Sequence, residues 1–171
     1  TVLARDLAAG IGLCPGAVHL RTDTERKTEA SQMDYAPAAR GAVYDRMFAR
    51  AANLIAAGRS VIVDGTFLDA KQRSAAQEIA FRSGIGFLGL WLAAPESVLI
   101  ERVVARRGDA SDADAAVVRA QAQAGKAGPL GKNWITVNAG GTIDKTRTAA
   151  GAALDGVLGT FVRKETVPRP L

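Results

Sequence analysis

Four short apolar runs alternate with longer, helix-like segments along this chain. No other feature of the sequence restricts the fold as strongly as this alternation. The runs are Ala17–Leu20, Ser60–Val63, Phe87–Leu92 and Trp134–Val137. Short runs with few polar breaks are typical of strands covered by helices on both faces. Because helical segments separate these runs, the sequence predicts an α/β fold with parallel strands joined by right-handed crossovers.

Helical periodicity and turn residues give the remaining organisation. Apolar residues recur at helical spacing in six segments, Thr1–Ile11, Ala42–Ala57, Leu68–Ser83, Glu96–Arg107, Asp112–Ala124 and Thr142–Val162. Thr22–Arg40 is polar and poorly periodic, so we expect it to be irregular, and glycine and proline predict a loop over Gly125–Gly131. With no repeat and no shift in composition, we expect one domain over residues 1–162 and a loosely held tail over 163–171.

Residue usage excludes several kinds of site. One cysteine, Cys14, and one histidine, His19, cannot form a disulfide framework or a Cys/His zinc site. His19 lies within a short strand, where we expect it to be packed or hydrogen-bonded. The longest apolar stretch, Gly84–Pro95, is much shorter than the roughly 20 residues that span a bilayer. We therefore expect a cytoplasmic protein with no membrane partner.

The charge balance favours an anionic ligand. The net charge is +5, and the 22 basic residues include 16 arginines, whose side chains suit bidentate binding of phosphate or carboxylate. No aromatic and basic residues interleave as in a base-stacking surface, so nucleic acid is a less favoured partner.

Charged side chains follow two of the predicted strands, at the edge where open α/β sheets bind ligands. Asp23 can accept a proton from an attacking hydroxyl, and Arg26 can hold an anionic substrate. Alternatively, Asp23 caps the next helix and Arg26 pairs with Glu29 or solvent. Asp64, directly after the second run, can support a magnesium ion through water, although an Asp-Gly turn is the simpler interpretation.

Two arginines mark a possible lid. Arg102 and Arg106 are four residues apart and so lie on one helix face, just before Gly108. They can close over a polyphosphate as part of a lid over about residues 106–124. The alternative is an ordinary solvated basic face.

The motifs together resemble the P-loop kinase branch of the nucleotide triphosphatases. The most distinctive pieces are LRTDTERK, SVIVDGTF with Arg73 downstream, and GLWLAAPESVLIERVVARRGDASDADAAVVRAQ. The chain is most similar to small ATP-binding kinase-like domains often fused to aminoglycoside-phosphotransferase-like domains. It is more distantly similar to zeta toxins and to gluconate, chloramphenicol and polynucleotide 5′-kinases. The resemblance implies a three-layer sandwich with a parallel sheet of about five strands between helices, and a small helical lid.

The resemblance also implies roles for individual residues. Thr1-Val2-Leu3-Ala4-Arg5-Asp6-Leu7-Ala8 fits the helix that follows G-x-x-x-x-G-K, so Thr1 would be the magnesium-binding Ser/Thr, and the first strand, phosphate loop and lysine would lie before it. Asp23 would be the base that activates the acceptor hydroxyl, Arg26 a substrate-binding residue and Asp64 the carboxylate near magnesium. Arg102 and Arg106 would approach the adenine and phosphates, and the adenine would border Asn138, Gly140 and Thr142.

The expected function is therefore an ATP- and Mg²⁺-dependent phosphotransferase that moves the γ-phosphoryl group to a hydroxyl of a small-molecule acceptor. One alternative is an ATP-binding regulatory or accessory module that transfers nothing. Another is a polynucleotide or nucleoside 5′-hydroxyl kinase. The sequence leaves the acceptor and the oligomeric state open.

Overall fold

A computed structural model of the chain describes residues 1–29, 37–105, 115–124, 131 and 133–165, and these residues form an α/β architecture. Helices and strands alternate along most of the described chain. In chain order the elements are α1 (Val2–Ala8), β1 (Val18–Arg21), α2 (Thr22–Glu29), α3 (Pro37–Ala56), β2 (Val61–Asp64), α4 (Ala70–Arg82), β3 (Gly89–Ala93), α5 (Glu96–Ala105), α6 (Ala115–Ala124), β4 (Trp134–Asn138) and α7 (Ile143–Glu165).

The strands pair in parallel, as the alternating sequence pattern predicts. β1 pairs with β2 from Val18 opposite Val61 to Arg21 opposite Asp64. β3 pairs with β4 from Gly89 opposite Trp134 onward. Within the described residues these are two separate two-stranded sheets, so the four strands read from the sequence are confirmed. The resemblance implies about five strands, and the described residues contain four of them.

The main core lies between α3 and one face of the β1–β2 pair. Its buried members come from β1, α3 and the segment after β2, namely Leu20, Tyr44, Met47, Phe48, Ala51 and Phe67. Because side chains alternate along a strand, the neighbours of Leu20 on β1 point to the opposite face, toward α1. Leu20 thus packs the β1–β2 pair against the core, while His19 and Arg21 lie on the opposite face of β1.

The structure corrects the prediction for Thr22–Arg40. This segment contains α2, and α3 already begins at Pro37. Acidic Asp23 and Glu25 occupy the first turn of α2, where carboxylates favour a helix. Glu25 is buried and forms an ion pair with Arg50 of α3, a tertiary contact that local periodicity does not reveal.

The other boundaries shift by a few residues. α1 ends at Ala8 rather than Ile11, and α7 continues to Glu165, so the first residues of the predicted tail are helical. Residues 106–114 of the predicted lid lie outside the described residues, as do residues 166–171 and most of the predicted Gly125–Gly131 loop. The described part of the lid, α6, packs against α5.

None of the helices in the described ranges has the length and hydropathy needed to cross a membrane.

Aromatic contacts join the two strand pairs. The ring of Trp134 meets Phe67 edge-on with centroids 5.9 Å apart, and Phe87 with centroids 5.8 Å apart. Gly89 lies directly opposite Trp134, and a Cβ atom at Gly89 would come within 2.2 Å of the indole ring. The indole therefore needs glycine at this position.

We predict that Gly89→Ala destabilises the protein by about 1–3 kcal/mol, because the added methyl group must displace the indole of Trp134. Gly151→Ala is the matched control. Apart from the adjoining backbone of its own helix, no atom of the described residues lies within 4 Å of the Cβ position at Gly151, inside α7, so alanine there should be neutral or stabilise by up to about 1 kcal/mol. Denaturant unfolding of both variants tests this, and equal effects would refute the packing assigned to Gly89.

Candidate functional site

The carboxylate of Asp64, the last residue of β2, is the centre of the candidate site. Its Oδ2 accepts a hydrogen bond of 2.8 Å from the Thr1 hydroxyl. The Nε2 atom of His19 lies 3.0 Å from the same oxygen. Only 19% of the Asp64 side chain is exposed. The structure thus brings together Thr1 and Asp64, the two residues for which the resemblance implies contact with magnesium.

Burial and hydrogen bonding act on Asp64 in opposite directions. Burial is the largest influence and by itself would raise the pKa of this carboxyl group. Hydrogen bonds from the Thr1 hydroxyl and from His19 lower the pKa, because they favour the ionised carboxylate. An ionised carboxylate can only accept hydrogen bonds. The imidazole nitrogen that faces it, Nε2 of His19, therefore carries a proton and donates it to the hydrogen bond.

The segment after Asp64 is held in place by side chains of α3 and α4. A Cβ atom at Gly65 would lie 2.6 Å from the Tyr44 hydroxyl, so only glycine fits without displacing it. The backbone N–H of Phe67, at a φ of 48°, donates to that hydroxyl over 2.9 Å. Arg73 donates to the Phe67 carbonyl over 2.6 Å. These contacts fix the backbone that follows the carboxylate.

A second carboxylate, that of Asp23, lies in the first turn of α2. Its Oδ1 accepts a 3.0 Å hydrogen bond from Nη2 of Arg26. Nη2 of Arg21 lies 3.8 Å from Oδ2 of Asp23, and Nε of Arg21 lies 3.8 Å from Oδ2 of Asp64. Asp23 and Arg26, which the sequence predicted as base and substrate-binding residue, therefore contact each other.

Sequence reasoning missed Arg21 and gave His19 no part in a site. His19 is hydrogen-bonded, as expected, but its partner is the carboxylate at the centre of the site. The available signal was strand alternation, because residues 19 and 21 share a face of β1. The pairing of Arg21 with Asp64 depends on strand register, which the sequence alone did not provide.

A second cluster lies at the loop after β4. Nη1 and Nη2 of Arg102 donate to the carbonyls of Ala139 and Gly141 over 2.6 and 2.7 Å. The side-chain oxygen of Asn138 accepts from the N–H of Gly140 over 2.9 Å. The structure therefore brings Arg102 to the loop that was predicted to border adenine, with its guanidinium bound to backbone carbonyls.

The start of α7 completes that cluster and connects it to α1. The hydroxyl of Thr142 accepts a 3.4 Å hydrogen bond from the Lys145 N–H and so caps α7. Arg147 donates to carboxylate oxygens of Asp6 in α1 and of Asp144, each over 2.6 Å. The hydrogen bond from Arg147 is the largest influence on Asp6 and lowers the pKa of that carboxyl group. Arg106, the other predicted lid arginine, lies outside the described residues.

The donor atoms at Asp64 suit a magnesium ion. A hydroxyl and a carboxylate are hard oxygen ligands, and Mg²⁺ is usually held by one or two carboxylates together with waters and substrate phosphates. Among the residues that the structure describes, no three His, Cys, Asp or Glu side chains form a metal-binding group. Thr1 and Asp64 fit a site of the sparse magnesium type, with His19 orienting the carboxylate.

A family model described as an AAA domain matches residues 1–127. The chain belongs to this AAA-domain family. It is similar to uncharacterized proteins of Mycobacterium bovis and Mycobacterium tuberculosis, with 32% identity over 128 residues. Each alignment covers 68% of this chain and 26% of the relative, so the chain corresponds to about a quarter of those proteins.

The AAA-domain chain is also similar in fold to a solved structure described as a gluconokinase from Sinorhizobium meliloti 1021. The TM-score is 0.67 at 16% sequence identity, and the match covers 95% of this chain and 89% of the other. Together with the family match, this confirms the predicted P-loop NTPase fold and identifies the chain as a P-loop kinase-like ATP-binding domain.

The hydrogen bonds to Asp64 have a consequence for stability. Because the hydrogen bonds from Thr1 and His19 favour the ionised carboxylate in the folded protein, they stabilise the fold above about pH 4, and this contribution is lost as the pH falls further. We predict that Asp64→Asn costs about 1–2 kcal/mol of unfolding free energy at neutral pH and much less near pH 3.

Denaturant unfolding across this pH range tests the prediction, with Asp45→Asn, at an exposed position on α3, as the matched control. A cost for Asp64→Asn that does not change between neutral pH and about pH 3 would contradict the proposed ionisation.

Proposed function

We propose that the protein is an ATP-dependent phosphotransferase that uses Mg²⁺ to move the γ-phosphoryl group of ATP to a hydroxyl of a small-molecule acceptor. The observation that carries this proposal is the hydrogen bond between Thr1 and Asp64, with a second carboxylate, Asp23, close by across Arg21. A metal-binding oxygen pair beside an available base is the arrangement that phosphoryl transfer to a hydroxyl needs.

The nucleotide would extend from the Thr1 end of α1 to the loop over Asn138–Thr142. Thr1 and Asp64 would hold the magnesium ion, which when bound neutralises charge on the phosphate oxygens. Asn138, Gly140 and Thr142 would border the adenine, with Arg102 fixing the loop through its carbonyls. Arg106, on the lid, would approach the phosphates when the lid closes.

In the transfer step, the acceptor oxygen forms a bond to the γ-phosphorus as the bond from that phosphorus to the bridging oxygen breaks. The electron pair of the broken bond remains on the β-phosphate, so ADP leaves, and the hydroxyl proton passes to Asp23. Most of the acceleration would come from positioning and charge neutralisation, because the transition state is loose.

The acceptor would bind beside α2. Arg26 holds Asp23 in this structure and can share its guanidinium with a carboxylate or phosphate on the substrate. A hydroxylated acid is therefore the acceptor class we favour, and the fold similarity to a gluconokinase makes gluconate one compound to test. As a consumer of ATP, the enzyme would work in the cytoplasm.

An accessory module that binds ATP without transfer is the second candidate, since a nucleotide-binding domain can serve a fused partner. The proximity of Asp23 to the metal-site carboxylate through Arg21 favours the enzyme. A nucleic-acid kinase is a weaker alternative, and it would bind oligonucleotides with a steep dependence on salt.

We predict that Asp23→Asn in the full-length protein lowers phosphoryl transfer by about 10²–10⁴-fold and changes ATP affinity little, because the amide cannot accept the proton. The assay supplies ATP and Mg²⁺ with sugar acids, sugars, antibiotics, nucleosides and 5′-hydroxyl oligonucleotides, and follows the phosphorylated product. Asp45→Asn is the matched control and should behave as wild type.

Two results would contradict the proposal. ATP binding with no acceptor phosphorylated would favour the accessory module, and an Asp23→Asn variant as active as wild type would remove Asp23 from the reaction.

We also predict that Asp64→Asn weakens the effect of magnesium on ATP affinity. Titration calorimetry with and without Mg²⁺ measures how much the metal raises the affinity for ATP. We expect this gain to be at least about tenfold smaller in Asp64→Asn than in wild type, because a carboxylate that holds the metal is lost. If the metal improves affinity equally in both proteins, Asp64 does not hold the metal.

A further inference from the structure

We propose that Arg21 is a catalytic residue whose guanidinium contacts the transferring phosphoryl group between the metal-site carboxylate and the base. The proposal rests on the proposed function and adds to it a residue that the sequence motifs did not suggest. The observation behind it is that one guanidinium faces both Asp64 and Asp23.

The position of Arg21 is set by rigid elements. It is the last residue of β1 and pairs in register with Asp64, the last residue of β2. The following residue begins α2, which carries Asp23 in its first turn. Arg21 therefore has a backbone held by β2 on one side and by the start of α2 on the other, and in this structure its side chain lies between the two carboxylates.

The two distances describe how Arg21 faces the carboxylates. Nε of Arg21 lies 3.8 Å from Asp64 Oδ2, and Nη2 lies 3.8 Å from Asp23 Oδ2. Both separations exceed the 2.7–3.2 Å of a hydrogen bond, so these two contacts are charge pairs rather than a bidentate clamp. By contrast, Thr1 and Arg26 hold the same two carboxylates at 2.8 and 3.0 Å.

The positive charge of Arg21 is the property that would assist the transfer. A phosphoryl group passing from the metal site toward the base would bring negatively charged oxygens between two carboxylates, which would repel it. A guanidinium in that space offsets the repulsion and can donate to an equatorial oxygen of the group in flight. About a fifth of the Arg21 side chain, 19%, is exposed, so a substrate can reach it while bulk water is partly excluded.

Arg21 takes no part in proton transfer. The new oxygen–phosphorus bond, the broken bond to ADP and the proton that goes to Asp23 are as described above. The guanidinium keeps its protons and lowers the energy of the transition state through charge and hydrogen bonding. A purely structural arginine, neutralising Asp64 and Asp23 at all times, is the alternative explanation of the same contacts.

The two roles differ in which complex they stabilise. The test compares the affinity of the full-length protein for Mg·ATP with its affinity for Mg·ADP plus aluminium fluoride, a mimic of the transferring phosphoryl group. We expect Arg21→Met to change the affinity for Mg·ATP by less than about threefold and to weaken the aluminium fluoride complex by about 100-fold. Arg21→Lys, which keeps the charge, should lie between wild type and Arg21→Met.

Arg5→Met is the matched control, because Arg5 is 72% exposed on α1 and faces only Asp6 among its described ion-pair partners. It should leave both affinities unchanged. Thermal unfolding of each variant checks folding, and if Arg21→Met does not fold, the ratio of the two affinities in Arg21→Lys serves in its place.

Equal losses for both complexes, or no loss for either, would overturn the role of Arg21 and leave the proposed function intact. Failure of the wild-type protein to bind Mg·ATP, or to bind the aluminium fluoride complex, would instead contradict the proposed function.

Discussion

The hydrogen bond between Thr1 and Asp64 is the interaction on which the candidate site depends. It joins the beginning of α1 to the end of β2 and brings a hydroxyl and a carboxylate into contact. The carboxylate also contacts His19 and Arg21 of β1, so residues from the start of α1, from β1 and from β2 meet at one half-buried carboxylate. The charged residues at the ends of β1 and β2 therefore share one centre, the Asp64 carboxylate.

The alternation of side chains along β1 places core residues on one face of the strand and site residues on the other. Leu20 of β1 packs into the aromatic core under α3, whereas its neighbours His19 and Arg21 face the site. The core in turn supports the site, because the Tyr44 hydroxyl binds the backbone two residues beyond Gly65. The apolar core on one face of the β1–β2 pair therefore supports the geometry of the charged residues on the other face.

The features predictable from sequence were those with a local cause. Continuous apolar runs predicted all four strands, and the rule that ligands bind at strand ends singled out Asp23 and Asp64. α2 was missed because the ion pair between buried Glu25 and Arg50 joins residues distant in sequence. Arg21 was missed because its role follows from strand register. The motif marked Arg102 but not its hydrogen bonds to the carbonyls after β4, which depend on how α5 packs.

The most direct test of the metal site uses His19, the one histidine of this chain. Its Nε2 lies 3.0 Å from Asp64, so a paramagnetic Mn²⁺ ion held by Thr1 and Asp64 would lie close to the imidazole ring. Proton NMR of the full-length protein, with the signal assigned by its loss in His19→Gln, measures this proximity. We predict that Mn·ATP broadens the His19 ring signals severely while Mg·ATP leaves them sharp. Sharp His19 signals in a protein shown to be saturated with Mn·ATP would contradict the site at Asp64.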